Sequence, residues 1–139
     1  MLFRSRTTVT VFKVGTNSGD AASWVAYMDD ATLNRVRNEI DAKTLANPQA
    51  VLMSNEVADI PIGGPLTNAS DALLGPIFAA PDTAKYVEIG PLGSSSLDPK
   101  YTTSHAYLKD YKIMLPANGI AKWTATFRVV GGMTRGAYS

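Results

Sequence analysis

The sequence predicts a mainly β fold: an antiparallel β-sandwich or flattened barrel with one short flanking α-helix at about residues 69–80. Three observations lead to this fold class. Residues 120–130 alternate between apolar and polar side chains with the period of two that a half-buried strand requires. A second alternating segment and an Asn-Gly pair precede them, which is typical of a hairpin. The segment Thr67–Ala80 has the best helix signal, because it combines a capping residue with apolar residues at helical spacing.

The C-terminal hairpin is predicted over Tyr107–Gly132. In its second strand the apolar positions are Ala121, Trp123, Ala125, Phe127 and Val129, and the polar positions are Lys122, Thr124, Thr126 and Arg128. In its first strand we expect Tyr107, Tyr111, Ile113 and Leu115 on one face, and Leu108, Asp110, Lys112 and Met114 on the other. Between the strands, Pro116-Ala117-Asn118-Gly119 predicts a tight turn, because Asn and Gly tolerate positive φ.

Further strands are predicted from apolar and β-branched runs at Thr7–Val14, Ser23–Tyr27, Ala50–Met53, Val57–Ile62 and Lys85–Ile89. In the helix, Asn68 or Ser70 is the expected N-cap and Asp71 lies in the first turn. Gly75-Pro76 is expected to shorten or kink that helix, and Gly63-Gly64-Pro65 to break or bulge its strand. Asp29–Leu45 is open to both helical and extended conformations.

The length of 139 residues fits one domain over residues 1–139, with flexible loops expected near 15–20 and 90–100. The chain has no cysteine, which excludes disulfides, thiolate metal sites and a cysteine nucleophile. A net charge of +1 argues against a dedicated nucleic-acid binder. No apolar run is long enough for a membrane span or a signal peptide, so we expect synthesis in a cytoplasm.

No group of residues in the sequence predicts catalysis, cofactor binding or a metal site. The only histidine, His105, lies in a polar run near Ser104 and Asp110, but no nucleophile-elbow sequence surrounds a serine. Asp29, Asp30 and Asp41 lack the spacing of a calcium loop. The aromatic residues Trp123, Phe127, Tyr107 and Tyr111 could stack on single-stranded nucleic acid. However, Trp123 and Phe127 share a face with small apolar residues, which favours a buried core.

Three segments resemble phage major tail proteins, the subunits of the tail tube of long-tailed bacteriophages. The hairpin is similar to the end of these proteins in its strand Tyr107–Ile113, its turn Leu115–Gly119, its Trp123-Thr124-Ala125-Thr126-Phe127 strand and the following Gly131. Asn38–Leu45 is similar to the acidic strand of the family. Asp59–Leu66 followed by Asn68–Phe78 is similar to its strand-then-helix step. The resemblance extends from about residue 33 onward, and it favours an extended Glu39–Leu45 while leaving 29–38 undecided.

The resemblance implies a structural virion protein without enzymatic activity. In the family, six copies close into a ring, one sheet of each copy joins its neighbours, and rings stack into the tube through which DNA leaves the capsid. The implied partners are further copies of the chain and other tail proteins: a possible sheath, the tape measure, the terminator and the baseplate. The implied location is the virion tail, with synthesis in the host cytoplasm and no membrane partner. DNA passage would be transient and non-specific.

The charge distribution adds an expectation about the channel. A channel that passes DNA should not hold phosphates tightly, because each lysine or arginine contact adds affinity. We therefore expect the acidic stretch around Glu39 and Asp41 to face the channel, and Lys122 and Arg128 to face a neighbour or the exterior. Two other functions remain open: a tail component that forms a single ring, such as a terminator or tube initiator, and a cytoplasmic β-sandwich binding module.

Overall fold

The computed structural model describes residues 10–41, 51–53 and 56–139, and for residues 40, 41 and 51–53 it describes the backbone alone. The predicted fold class is confirmed, because the described chain is mainly antiparallel β-sheet with one helix. The strands are β1 Val11–Gly15, β2 Ala22–Ser23, β3 Asp30–Ala31, β4 Asn34–Val36, β5 Glu39–Asp41, β6 Val51–Met53, β7 Val57–Pro65, β8 Lys85–Gly90, β9 Pro99–Met114, β10 Lys122–Val129 and β11 Thr134–Ala137. The helix α1 spans Asn68–Ala79.

Nine strands form one antiparallel sheet in the order β2-β1-β8-β9-β10-β7-β3, with β11 also beside β9 and β4 also beside β7. Strands β5 and β6 form a separate two-stranded antiparallel sheet. The long strand β9 pairs with β8 as far as Ala106 and with β10 from Ala106 to Met114. The sheet curls so that β1 faces β7 and β10 across the core. Trp24 bridges the two layers, with ring centroids 6.4 Å from Phe12 and 5.9 Å from Phe127.

The alternation of β10 is confirmed. Trp123, Ala125, Phe127 and Val129 are buried, whereas Lys122 and Arg128 are exposed. The buried side chains join one core with residues from β1, β7, β8, β9 and α1. Trp123 and Phe127 are therefore core residues and not a stacking platform, as the apolar character of their face predicted.

The predicted tight turn of the hairpin is wrong. The strands end at Met114 and Lys122, and a loop over residues 115–121 joins them. Gly119 has a φ of +103°, but Asn118 does not have a positive φ. A two-residue type I′ turn needs positive φ at both central residues, so the Asn-Gly pair closes a wider loop instead.

The predicted faces of β9 are also wrong at Tyr107 and Leu108. The pairing with β10 shifts between Thr126 and Phe127, so that Lys109 is left as an extra residue in β9. Because a one-residue bulge reverses which face each side chain occupies, Leu108 is buried and Tyr107 lies on the opposite face. Tyr111 and Ile113, beyond the bulge, lie on the same face as Leu108.

The predicted N-cap of helix α1 is wrong, because neither Asn68 nor Ser70 occupies that position. Thr67 is the N-cap: its hydroxyl accepts from the Ser70 N–H, and the Ser70 hydroxyl accepts from the Thr67 N–H. Asp71 lies in the first turn, as predicted. Gly75 and Pro76 lie inside the helix without shortening it. Leu74 is buried in the core and holds this turn in place.

The segment predicted as a strand over Ser23–Tyr27 is wrong beyond Ser23, because Val25–Tyr27 is a short 3-10 helix. The ambiguous stretch after it is extended, since β3, β4 and β5 follow one another between residues 30 and 41. The other four predicted strands are present within the described residues, as β1, β6, β7 and β8. The predictions for residues 1–9 and 42–50 lie outside the described residues.

The predicted break at Gly63-Gly64-Pro65 is wrong, because all three residues continue β7 and pair with β10 without a register shift. Gly64 has a different role. A Cβ on Gly64 would overlap the carbonyl oxygen of Tyr27 and lie 3.0 Å from the Met28 Cα. Gly64 therefore allows the chain around the 3-10 helix to pack directly on β7.

Gly64→Ala should destabilise the protein by about 1–3 kcal/mol, because the added methyl group would push backbone against backbone. Gly136→Ala on β11 is the matched control, since the nearest atom that a Cβ there would meet outside the adjacent residues is the Lys100 carbonyl oxygen at 4.0 Å. That substitution should leave the free energy of unfolding unchanged to within about 0.5 kcal/mol. Urea unfolding of the unassembled protein, followed by circular dichroism, measures both. Equal stability of the two variants would contradict the close packing of Gly64.

Candidate functional site

Strands β3 and β4, β7, β10 and β9 form one layer of the sheet, which we call the outer layer. The side of this layer that faces away from the core is the outer face. Cross-strand partners share a face, so the register assigns its members. One row crosses the layer from Asp30 through Gly63 and Thr124 to Lys112. The remaining members are Asn34, Val36, Val57, Asp59, Pro61, Pro65, Lys122, Thr126, Arg128, Tyr107, Asp110 and Met114.

The outer face is polar and carries balanced charge. Its three acids are Asp30, Asp59 and Asp110, and its three bases are Lys112, Lys122 and Arg128. Arg128 Nη1 lies 3.5 Å from Asp59 Oδ1, and both side chains are partly exposed. An exposed pair of this kind adds little stability, but it neutralises the arginine locally.

The four residues singled out by sequence analysis do not form one site. Lys122 and Arg128 lie at opposite ends of β10 on the outer face, and both are exposed. Glu39 is exposed on β5, and Asp41 ends that strand. β5 pairs with β6 and not with the nine-stranded sheet.

Asp59 and Asp110 were not among the predicted site residues. Asp59 lies opposite Arg128 and Asp110 opposite Thr126. Asp59 and Arg128 are 69 residues apart in sequence, so only the strand register brings them together. The alternation of β7, in which Val57, Asp59 and Pro61 avoid the core, is the one signal that could have placed Asp59 on this face.

The layer has two open edges. At one edge, residues 107–114 of β9 have β10 on one side and no described strand on the other. We define this segment together with Lys122 as the basic edge; its charged residues are Lys109, Asp110, Lys112 and Lys122. The other edge is formed by β3 and β4, which both pair with the side of β7 that β10 does not use. We define Asp29–Ala31 as the acidic edge.

Apolar residues are concentrated at the tip of the β9–β10 hairpin. Ile113, Met114, Leu115 and Ile120 are all exposed, with Leu115 at 79% and Ile120 at 69%. Met114, Leu115, Ile120 and Lys122 border a shallow groove of about 620 Å³. A cluster of exposed apolar side chains on a small domain marks a contact surface.

A second concave region separates β1 from β3 and β4. It is a cleft of about 520 Å³ whose floor includes Phe12, Ile60 and Ile89. Arg35 and Tyr101 border it, and the guanidinium carbon of Arg35 lies 5.3 Å from the centre of the Tyr101 ring. A smaller hollow of about 260 Å³ adjoins the acidic edge and is bordered by Phe12, Val25 and Met28.

Arg35 also fixes β4 to the start of β7. Its Nε and Nη2 donate to the two carboxylate oxygens of Glu56 at 2.6 and 2.7 Å. Glu56 Oε2 accepts a third hydrogen bond from the Met133 N–H at 3.3 Å, and its side chain is 9% exposed. The hydrogen bonds from Arg35 hold the pKa of the Glu56 carboxyl below its usual value, and the Met133 bond adds to this effect.

The buried carboxylate of Glu88 connects Tyr138, next to the C-terminus, to strand β8. Glu88 on β8 accepts from the Tyr86 hydroxyl at 3.0 Å and from the Tyr138 hydroxyl at 2.6 Å. Burial opposes ionisation of Glu88, but the two hydroxyl bonds and the nearby Lys13 and Lys100 outweigh it, so the net pKa of Glu88 is lowered. Burial, together with the Glu88 bond, raises the pKa of Tyr86 to about 12.

The described residues contain no group of three or more histidine, aspartate or glutamate side chains placed to hold a metal ion. His105 is an exposed residue of β9. Among the helices that the structure describes, none has the length and hydropathy to cross a bilayer.

Glu56→Gln should lower the free energy of unfolding by about 1–3 kcal/mol, because it removes the charge that satisfies Arg35 in a mostly buried site. Asp59→Asn is the matched control, since its ion pair with Arg128 is exposed and should contribute less than about 1 kcal/mol. Urea unfolding at neutral pH compares the two. A control that loses as much stability as Glu56→Gln would contradict the structural role of the Arg35–Glu56 pair.

Tyr138→Phe should destabilise the protein at neutral pH by about 1 kcal/mol. Because the pKa of Glu88 is lowered in the folded state, its contribution is present above its ordinary pKa and is lost as the pH falls through the lower folded value. The variant and the wild type should therefore converge in stability towards pH 2. Tyr107→Phe, whose hydroxyl has no described partner, should match the wild type throughout. Unfolding curves from pH 2 to 8 test this, and a pH-independent loss would refute it.

No family model matches this chain, and no curated protein matches it. Solved structures do. The chain is similar to one from the tail of an empty gene transfer agent particle refined with C6 symmetry: the TM-score is 0.73 at 15% identity, over 91% of this chain and 95% of that one. It is similar to the SPP1 tail tube protein, with a TM-score of 0.72 at 7% identity, over 93% and 77% of the two chains.

A third similar structure comes from the sheath–tube complex of an extracellular contractile injection system, PVC, with a TM-score of 0.68 at 11% identity, over 93% of this chain and 88% of that one. At such identities the likeness concerns the fold. It extends over almost the whole described chain and includes both layers of the curled sheet. This chain therefore has the fold of the tail tube proteins of phages, gene transfer agents and contractile injection systems.

Proposed function

We propose that this protein is a structural virion protein: a tail tube subunit that assembles into stacked, hexameric rings around a channel for DNA. The observation that carries the proposal is the likeness of nearly the whole chain to a subunit of a C6-symmetric tail. The exposed apolar hairpin tip and the two open edges support it, because a free monomer would leave such features unprotected.

The dimensions of the outer layer suit a channel. Each copy contributes four neighbouring strands in the row from β3 to β9. Six copies would place about 24 strands, spaced about 4.8 Å apart, on a circle about 37 Å in diameter before strand tilt widens it. Side chains on the inside would narrow the opening, which still leaves room for a double helix.

The outer face suits the lining of such a channel because its charges balance. This placement puts Arg128 in the lining, whereas the sequence led us to expect it towards a neighbour or the exterior. Because Asp59 lies beside it, Arg128 offers less attraction to a phosphate than a free arginine would. We further propose that Lys122 meets a neighbouring copy, and that the acids of β5, Glu39 and Asp41, contribute to the lining. A map of the assembled tube in which Lys122 points into the channel, or in which Glu39 and Asp41 face away from it, would exclude this arrangement.

The proposed partners are other copies of the chain, through contacts within and between rings, and further tail proteins: a sheath if the tail is contractile, the tape measure, the terminator and the baseplate. DNA would pass transiently and without sequence preference. The protein would be made in the host cytoplasm and end in the virion tail. Our proposal includes no enzymatic activity and no membrane partner.

A single-ring role is the second candidate, and a specific likeness favours it. The chain is also similar to one from the tube-terminating cap of the anti-feeding prophage, with a TM-score of 0.65 at 13% identity, over 99% of this chain and 95% of that one. A cap or tube initiator would use the same ring contacts and lack contacts that propagate the stack.

Purified protein viewed by negative-stain electron microscopy distinguishes the candidates. We expect long hollow tubes at high protein concentration. Leu115→Asp should reduce assembly at least tenfold, because it places a charge on the apolar hairpin tip, whereas Leu92→Asp, in an exposed loop, is the matched control.

Single rings without tubes would instead support the cap or initiator. A protein that stays monomeric at high concentration would refute both candidates. In that case, a ligand-dependent rise in melting temperature would support a binding module.

A further inference from the structure

The two open edges of the outer layer carry opposite charge. The basic edge has a net charge of +2, from three lysines and one aspartate. The acidic edge has a net charge of −2, from Asp29 and Asp30. Farther along the same side of β7, β4 carries Arg35, whose charge is paired with Glu56. Neither the two aspartates of the acidic edge nor Lys112 and Lys122 make an ion pair with any residue that the structure describes. Complementary charges that stay unpaired within one chain are available to a second copy.

The strand directions permit a direct meeting of these edges. Strands β3, β7, β10 and β9 alternate in direction, so β3 and β9 run opposite to each other. When two copies lie side by side in the same orientation, β9 of one copy is therefore antiparallel to β3 of the next. An antiparallel pair is the arrangement that two adjacent strands form most readily.

The side chains at the two edges also share a face. Asp30 and Lys112 belong to one row across the outer face, at its opposite ends. Joining the edges would bring the Lys112 of one copy next to the Asp30 of its neighbour, within the reach of a lysine side chain even with a stagger of two residues. The row of one copy would then continue into the row of the next.

Apolar residues flank both sets of charges. Met114, Leu115 and Ile120 adjoin Lys122 at the hairpin tip, and Val25 and Met28 border the hollow beside Asp29 and Asp30. Val25 is 43% exposed and Leu115 is 79% exposed. Contact between the two regions would cover apolar surface and exclude water, which strengthens the attraction between the charges.

We propose that the acidic edge of one copy binds the basic edge of the next, with Asp29 and Asp30 opposite Lys112 and Lys122. This contact rests on the proposed function, because it names the surface by which copies associate within a ring. It is heterologous, so each copy uses a different surface towards each neighbour. Like edges repel, which disfavours the symmetric dimer that an open sheet edge would otherwise form.

Charge reversal tests the contact. Lys112→Glu and Asp30→Lys, each alone, should reduce the assembled fraction at least tenfold, because each places like charges at every interface. A one-to-one mixture of the two variants should assemble again. In an alternating ring of even number, each reversed edge meets the opposite charge of its neighbour. The chain carrying both substitutions should also assemble.

Matched controls come from exposed charges away from both edges. Arg135→Glu on β11 and Asp82→Lys in the turn after α1 should assemble like the wild type. Circular dichroism and thermal melting of each unassembled variant verify that it folds. Sedimentation and negative-stain microscopy measure assembly at fixed ionic strength.

Engineered cysteines locate the contact independently, since the chain contains none. Asp30→Cys is combined in turn with Asp110→Cys, Lys112→Cys and Met114→Cys, three outer-face positions of β9. A disulfide needs Cα atoms about 4.4–6.8 Å apart. One of the three pairs should therefore form a ladder of covalent oligomers after oxidation, whereas each single cysteine variant should give at most dimers.

Wild-type tubes together with no crosslinked ladder, or with no recovery in the mixture, would overturn the edge contact and leave the proposed function standing. A wild type that forms neither tubes nor rings would overturn the proposed function, and the edge contact with it.

Discussion

The buried stripe of β10 is the constraint on which the rest of the structure depends. Trp123, Phe127 and Val129 fill the core, so the opposite side chains of the same strand must face away from it. β10 pairs along its whole length with both β7 and β9. Its position therefore fixes which residues share each row of the outer face, including the row that connects Asp30 with Lys112. The packing of one strand thus sets the charge pattern of the surface.

The curled sheet buries its core without closing on itself, and this leaves β3 and part of β9 as open edges. Open edges are hazardous for a monomer and useful for an assembly. Here the edges are short or bulged, and they carry charges of opposite sign. Together with the exposed hairpin tip, these features connect the fold of the subunit to its proposed place in a ring. The structural ties inside the subunit lie elsewhere: Arg35–Glu56 holds β4 to β7, and Tyr138–Glu88 holds the C-terminus to β8.

Local patterns predicted the fold class well. The alternation of β10 and the capped apolar segment of α1 each reflect interactions within a few residues, and both elements formed. The errors arose where distant residues decide the conformation. Gly64 continues a strand because it pairs with Trp123 of β10, and its missing side chain makes room for the backbone of Tyr27. The bulge at Lys109 adjusts β9 to a strand that follows it. Neither partner can be recognised from the residues next to these positions.

By itself, the sequence determined the β-rich fold class, the buried identity of Trp123 and Phe127, the helix after β7 and the resemblance to tail tube subunits. It identified Lys122 and Arg128 as the polar side of their strand. The tertiary structure alone decided which charges are neighbours: Asp59 beside Arg128, and acids and bases at opposite edges of one layer. The reason is physical. Alternation records the burial of each strand separately, whereas charge neighbours depend on register between strands that are far apart in the chain.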